Sequence, residues 1–211
     1  MVLRKIMGLF VCVLVISSAA MATAGIPDLT NTLANMNGAG GNTLALFNLP
    51  NAGGSAFNEA QVYGVGTAAD ATITMVVLDA FGTPVADYPS EDMWLESVDG
   101  GMVPCTGGTA ADFTTNPAGE TSWENPLNAG GYSTAFTQVI INGLPLNQGP
   151  FALHFNSADM NGDGAVNLAD VGNFSSVFYG VYDFSADFSS DGVLNLTDVG
   201  RLAQGSGTMC P

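Results

Sequence analysis

Two short stretches of this chain carry oxygen donors at spacings that suit one kind of chemistry, the coordination of a hard divalent cation. In "DMNGDGAVNLAD", Asp159, Asn161 and Asp163 alternate with spacers, Gly164 follows, and the run closes on Asn167 and Asp170. "DFSSDGVLNLTD" repeats that order with Asp187, Ser189, Asp191, Gly192, Asn195 and Asp198. Calcium takes oxygen ligands, and one loop design supplies them from side chains at positions 1, 3 and 5, the backbone carbonyl at 7, position 9 and a carboxylate at 12, with Gly at 6 for the sharp turn. On that template the carbonyls come from Ala165 and Val193. The predicted ligand sets are Asp159, Asn161, Asp163, Ala165, Asn167 and Asp170, and Asp187, Ser189, Asp191, Val193, Asn195 and Asp198, for two calcium ions.

The end of each loop also starts a helix. Asn167 is placed to cap a helix beginning at Leu168, with Asp170 at its third position, and Asn195 and Asp198 repeat the arrangement before Leu196. Leu168, Val171, Phe174 and Val177 recur every third residue, as do Leu196, Val199 and Leu202, which predicts an apolar stripe on each helix. No amphipathic helix precedes either loop, so each reads as half of a helix–loop–helix hand.

This tandem pattern, D-x-[NS]-x-D-G-x-[VL]-N-x-x-D over residues 157–205, resembles the dockerin family. The resemblance implies a duplicated calcium-binding module that docks onto a cohesin-like partner in an extracellular assembly. Dockerins place polar residues just before the last ligand and basic residues later in the helix. Here those early positions hold Leu168, Ala169, Leu196 and Thr197, and Arg201 is the only base that follows. Docking onto another extracellular protein and packing on the chain's own sandwich both stay open.

The elements that must position these loops come earlier in the chain. From about Leu44, short apolar runs such as "TLALFNL", "ATITMVVLDA", "MWLES", "TSWEN" and "TQVIIN" alternate with turns rich in Gly, Pro and Asn. No helical period intervenes. The pattern predicts an antiparallel Ig-like β-sandwich over 44–155, in a mainly β chain that ends in a small α module. Asp79, Gly82, Pro84 and Val85 form one turn signature, and Thr115, Asn116 and Gly119 another. These resemble the turns of bacterial immunoglobulin-like and prealbumin-like modules, which implies a fold and not an activity. Phe151, Leu153 and Phe155 alternate as a last strand, which places His154 toward solvent. Residues 25–43, rich in Asn, Gly and Thr, read as a flexible arm or irregular edge, and 206–211 as a tail carrying Cys210.

Composition bounds the functional classes. Arg4 and Lys5, an apolar run and an A-x-A site at Ala22 and Ala24 predict a signal peptide over 1–24, so the expected product is secreted, with no membrane span after cleavage. From residue 25 on, Arg201 alone faces all 19 carboxylates of the 211-residue chain, a balance that argues against nucleic acid as a partner. Cys12 lies in the leader, leaving Cys105 and Cys210 as the expected disulfide of an oxidising compartment. No Ser-His-Asp wording, phosphate loop or Cys-His pair marks an enzyme, and Glu120 with Glu124 is a pair that chance alone provides. The expectation is a non-catalytic structural or docking protein. The alternative is a carbohydrate-binding module in which Trp94, Trp123 and Tyr132 stack on glycan, with the two tryptophans otherwise filling the core.

Overall fold

The computed structural model describes residues 25–38 and 40–211, so the expected signal peptide lies outside the described residues. The chain is mainly β. In order it forms β1 (Leu33–Met36), β2 (Leu44–Asn48), β3 (Ala60–Val62), β4 (Ala68–Ala69), β5 (Ile73–Val76), β6 (Met93–Ser97), β7 (Met102–Pro104), β8 (Glu120–Trp123), β9 (Ala129–Gly131), β10 (Thr137–Ile141), β11 (Leu144–Pro145) and β12 (Leu153–Ser157). Two helices follow, α1 (Leu168–Phe178) and α2 (Leu196–Gly205). The strands pair as β1-β5-β8, β11-β10-β6, β7-β9 and β12-β2-β3-β4.

Period-2 alternation positions the first core. Ile73 and Met75 of β5, with Met93 and Leu95 of β6, turn inward and join Leu44, Leu46, Trp123, Val139 and Phe155 in one buried cluster. The two turn signatures lie side by side beneath it. The Asp79 carboxylate accepts from the Phe81 and Thr83 N–H groups, and the Asn116 side-chain Oδ1 accepts from the Ala118 and Glu120 N–H groups. Thr115 ties the two turns together, its hydroxyl donating to the Val85 carbonyl at 2.7 Å. Gly119 has φ +75°, and a Cβ there would collide with the Val77 carbonyl, so only glycine fits.

Two sequence expectations are corrected here. The sandwich is not wholly antiparallel: β12 runs parallel to β2, from Leu153↔Leu44 to Ser157↔Asn48. The stretch 25–43 is not a free arm throughout, because β1 pairs antiparallel with β5 and the Gln148 side chain bonds both the N–H and the carbonyl of Ala34. Hydrogen bonds to an open sheet edge order a segment that lacks apolar periodicity of its own.

Parallel strands are covered on both faces, and every residue of β2 and β12 is buried. Leu44 and Leu46 face the first core. Phe47, with Leu49 just beyond the strand, faces a second one built with Ala158, Met160, Val166, Phe174, Phe188 and Leu202. The C-terminal segment therefore packs on the outer face of the sandwich's own sheet. Burying a side chain the size of Phe188 there stabilises by about 1.5–3 kcal/mol.

The predicted stripes on the helices are only partly buried. Phe174 and Leu202 reach the second core, whereas Leu168 and Leu196 are 86% and 81% exposed. At 3.6 residues per turn, each three-residue step falls short of a full turn by about 60°, so a strict i, i+3 row rotates off the buried face.

His154 is the third correction. It is buried rather than solvent-facing, packed edge-on against Tyr63 with ring centroids 4.7 Å apart and near Phe184 and Phe136, and its Nδ1 has no partner. Burial holds its pKa below the ordinary 6.5, opposed in part by the negative charge of Asp99. A histidine that resists protonation when folded destabilises the fold as pH falls below about 6.5, because only the unfolded chain then takes up the proton. In urea denaturation from pH 7.5 to 5.5, His154→Phe should lose less stability on acidification than the wild type; parallel slopes would contradict this assignment.

Candidate functional site

The two acidic loops share one hydrogen-bond map. In the first, Asp159 accepts from the Asp163 N–H at 3.1 Å and the Gly164 N–H at 2.9 Å. In the second, Asp187 accepts from Asp191 at 3.2 Å and Gly192 at 2.8 Å. Asp170 reaches back to the N–H groups of Asn161 and Asn167, and Asp198 to those of Ser189 and Asn195. Gly164 and Gly192 take φ +87° and +82°, as the reversal at the sixth position requires. At the fourth position the copies differ: Gly162 has φ +68°, but Ser190 holds φ +52° without the freedom of glycine.

Both helices start where the asparagines predict. The Asn167 Oδ1 accepts from Ala169 N at 2.8 Å and the Asn195 Oδ1 from Thr197 N at 2.7 Å, and Asp170 and Asp198 complete capping boxes. Capping has a consequence at the ninth position. Each asparagine spends its oxygen on the helix and turns its nitrogen to the loop, where Nδ2 donates to the Ala165 or Val193 carbonyl. The same nitrogens face Asp163 and Asp191. Asn167 and Asn195 thus direct Nδ2 at the loop and Oδ1 at the helix start.

Electrostatically the loops are loaded. Asp159, Asp170, Asp187 and Asp198 are fully buried. Burial raises the pKa of Asp159, against the Gly164 N–H, with the nearby charges of Asp170 and Asp163 adding to the rise. Burial likewise raises Asp198. Asp163, on the surface, is held low by the Asn161 side chain and the Ala165 N–H. Buried carboxylates need compensation, and an all-oxygen donor set matches a hard divalent cation. Among the described residues, no group of three or more His, Cys, Asp and Glu side chains is drawn together in ready ligand geometry. Each loop has three carboxylates only, and their oxygens are turned onto backbone N–H groups and onto the side chains of Asn161, Asn167, Tyr182, Ser189 and Asn195.

The sandwich and the chain terminus seat the loops. Gly131 of β9 donates to the Asp159 carbonyl at 2.7 Å, and a Cβ on Gly130 would strike the Asp159 carboxylate. The last residues clamp the same loop: Val166 N–H donates to Thr208, Cys210 N–H donates to the Gly164 carbonyl at 2.8 Å, and Cys210 is disulfide-bonded to Cys105 as expected. The second loop rests on the β3–β4 hairpin, where Gly66 meets Asp191. The Asn156 Nδ2 donates to the Asp187 carbonyl at 2.5 Å, and the Tyr182 hydroxyl to the Asp187 carboxylate at 2.8 Å. Burial, followed by that bond, drives the Tyr182 pKa up. With its amide turned to satisfy both neighbours, Gln61 donates to the Ser189 carbonyl and accepts from Arg201. The seats on Gly130, Gly66 and Gln61 were illegible in the sequence, which marks these residues with no motif.

The other candidates are scattered. Trp123 is fully buried with its N–H on the Thr109 carbonyl, so it fills the core. Trp94 is half-buried and bonded to Glu96, and Tyr132 is partly exposed. Glu120 and Glu124 line one shallow groove with Phe113, where they bond Asn116 and Ser122 respectively. No helix of the described residues is long and apolar enough to cross a membrane.

No family model matches this chain, and comparison with curated proteins finds no match. Among solved structures, one described as the Lin-41 filamin domain is similar over 63% of this chain and 97% of its own, at 14% identity and a TM-score of 0.28.

The close seat at Gly130 is directly testable. Gly130→Ala should push Asp159 out of the first loop and cost about 1–3 kcal/mol of unfolding free energy in urea denaturation. An unchanged midpoint would contradict the contact.

Proposed function

We propose that this chain is an exported, non-catalytic protein whose two acidic loops each hold a calcium ion, and that the ions fasten the C-terminal segment to an Ig-like sandwich in an extracellular assembly. The observation that carries this reading is the duplicated hydrogen-bond map: two loops of different sequence bury two aspartates each at equivalent positions. A repeated concentration of buried negative charge, with Arg201 as the only nearby base, favours a cation as the missing counter-charge.

The ligands would be Asp159, Asn161, Asp163, Ala165 and Asp170 in the first loop and Asp187, Ser189, Asp191, Val193 and Asp198 in the second. Asn167 and Asn195 would orient them. When bound, the ion supplies charge neutralisation, and the chain's own residues hold the loops against the sheet. This geometry favours an internal staple. Leu168 with Val171, and Leu196 with Val199, stand exposed at equivalent helix positions and are the surface on which a cohesin-like or other partner would dock. The glycan reading is weaker, because Trp123 is buried.

Because Phe47 and Leu49 share a core with both loop-bearing segments, the ions should stabilise the whole fold rather than the tail alone. At a hundredfold excess over Kd each site adds about 2.7 kcal/mol. Calcium should therefore raise, and EDTA lower, the main calorimetric transition of residues 25–211. A melting profile indifferent to both would refute the ion reading. A calcium-dependent pull-down from the source's secreted proteins tests docking in trans.

A further inference from the structure

We infer that the two loops are unequal ion sites, the first filling before the second because Arg201 occupies the field of the second alone. This inference rests on the calcium reading above. The helices align residue for residue from their caps, so the position of Arg201 on α2 corresponds to Asn173 on α1. Asn173 is neutral and exposed. Arg201 is half-buried between α2 and the sheet: its guanidinium lies 5.2 Å from the centre of the Phe47 ring and donates to Gln61 at 3.1 Å once that amide is turned. Burial opposes its charge, and the neighbouring charges of Asp198, Asp187 and Glu59 favour it, so it faces the carboxylates of the second loop. It is the only Lys or Arg from residue 25 onward, so the first loop has no such counterpart.

Two separate effects point the same way. Arg201 offsets part of the negative charge of the second loop without an ion and repels a divalent cation arriving there. The first loop has more to gain from an ion. Its backbone is also set in advance: the ladder from Gly164 to Val166 against Thr208 to Cys210, locked by the disulfide, fixes the carbonyl of Ala165 before any ligand arrives. Pre-organisation of that kind raises affinity by removing the ordering cost of binding. At the corresponding place in the second loop, Val193 is exposed.

The test is a calcium titration of residues 25–211 followed by NMR, with the Gly164 and Gly192 amides reporting each loop, since each donates to its own first aspartate. Gly164 should shift at lower calcium than Gly192. Arg201→Gln should lower the Gly192 midpoint about fivefold or more while leaving Gly164 in place, and Arg201→Lys should keep the wild-type order. Equal midpoints in the wild type, or a Gly192 midpoint unmoved in Arg201→Gln, would overturn the inference. If neither amide responds to calcium, the ion reading itself is what fails. Should Arg201→Gln unfold, Asn173→Arg supplies the mirror test on the exposed face of α1: a weakened Gly164 midpoint supports the inference, and an unchanged one overturns it.

Discussion

The parallel pair β2–β12 has no solvent face, and that condition shapes everything packed around it. Leu44, Leu46, Leu153 and Phe155 fill the core of the sandwich, while Phe47, His154 and Asn156 project the other way. An apolar sheet face left open to water would be a surface for unwanted association. The C-terminal segment removes it. Phe174, Phe188 and Leu202 cover Phe47 and Leu49, and the ring of Phe184 closes against His154 and Tyr63. The sandwich and the acidic loops are therefore two layers sharing one sheet rather than two beads on a string.

This sharing explains how short helices and loops remain ordered. The helices are short, and isolated helices of fewer than about 12–15 residues are marginal in water. Each has a single large residue fully inside the second core, Phe174 or Leu202. What they lack in core is supplied by β2. The chain enters the first loop from β12 and the second from the short turn Phe184–Ala186, without a helix before either. The loops thus take their rigidity from the sheet, through Gly131 to Asp159 and through Asn156 to Asp187.

Local chemistry was legible in the sequence, and tertiary cover was not. The loop spacing, the Asn caps, both helix starts, the Asp79 and Asn116 turns and the Cys105–Cys210 pair all depend on residues close in sequence or few in number. His154 was misplaced because alternation predicts the two faces of a strand but not whether the second face is later covered. The parallel register of β2 and β12 joins segments at opposite ends of the sandwich, and neither stretch signals its direction. For 25–43 the sequence left a flexible arm and an irregular edge open, because the order of β1 comes from backbone bonds to β5 and from Gln148, which need no apolar pattern. Asn167 and Asn195 suit both a capping and a ligand role, and in this structure their Oδ1 atoms accept from the helix N–H groups.

The duplication is chemical and not environmental. Asp159 and Asp187 have equivalent backbone donors, yet one carboxylate lies under the backbone of Gly130 and the other under the hydroxyl of Tyr182. A repeat that packs on a non-repeating sheet must meet two different surfaces, so its copies diverge where they are seated. Gly162 against Ser190, Asn173 against Arg201, and the disulfide ladder against the β3–β4 hairpin are all differences of this kind. Had the two copies packed on each other about a two-fold axis, like surroundings would have accompanied like loops. Instead each copy is bound to its own part of the sandwich: the disulfide ladder from the chain terminus holds the first loop, and Gln61 with the β3–β4 hairpin holds the second.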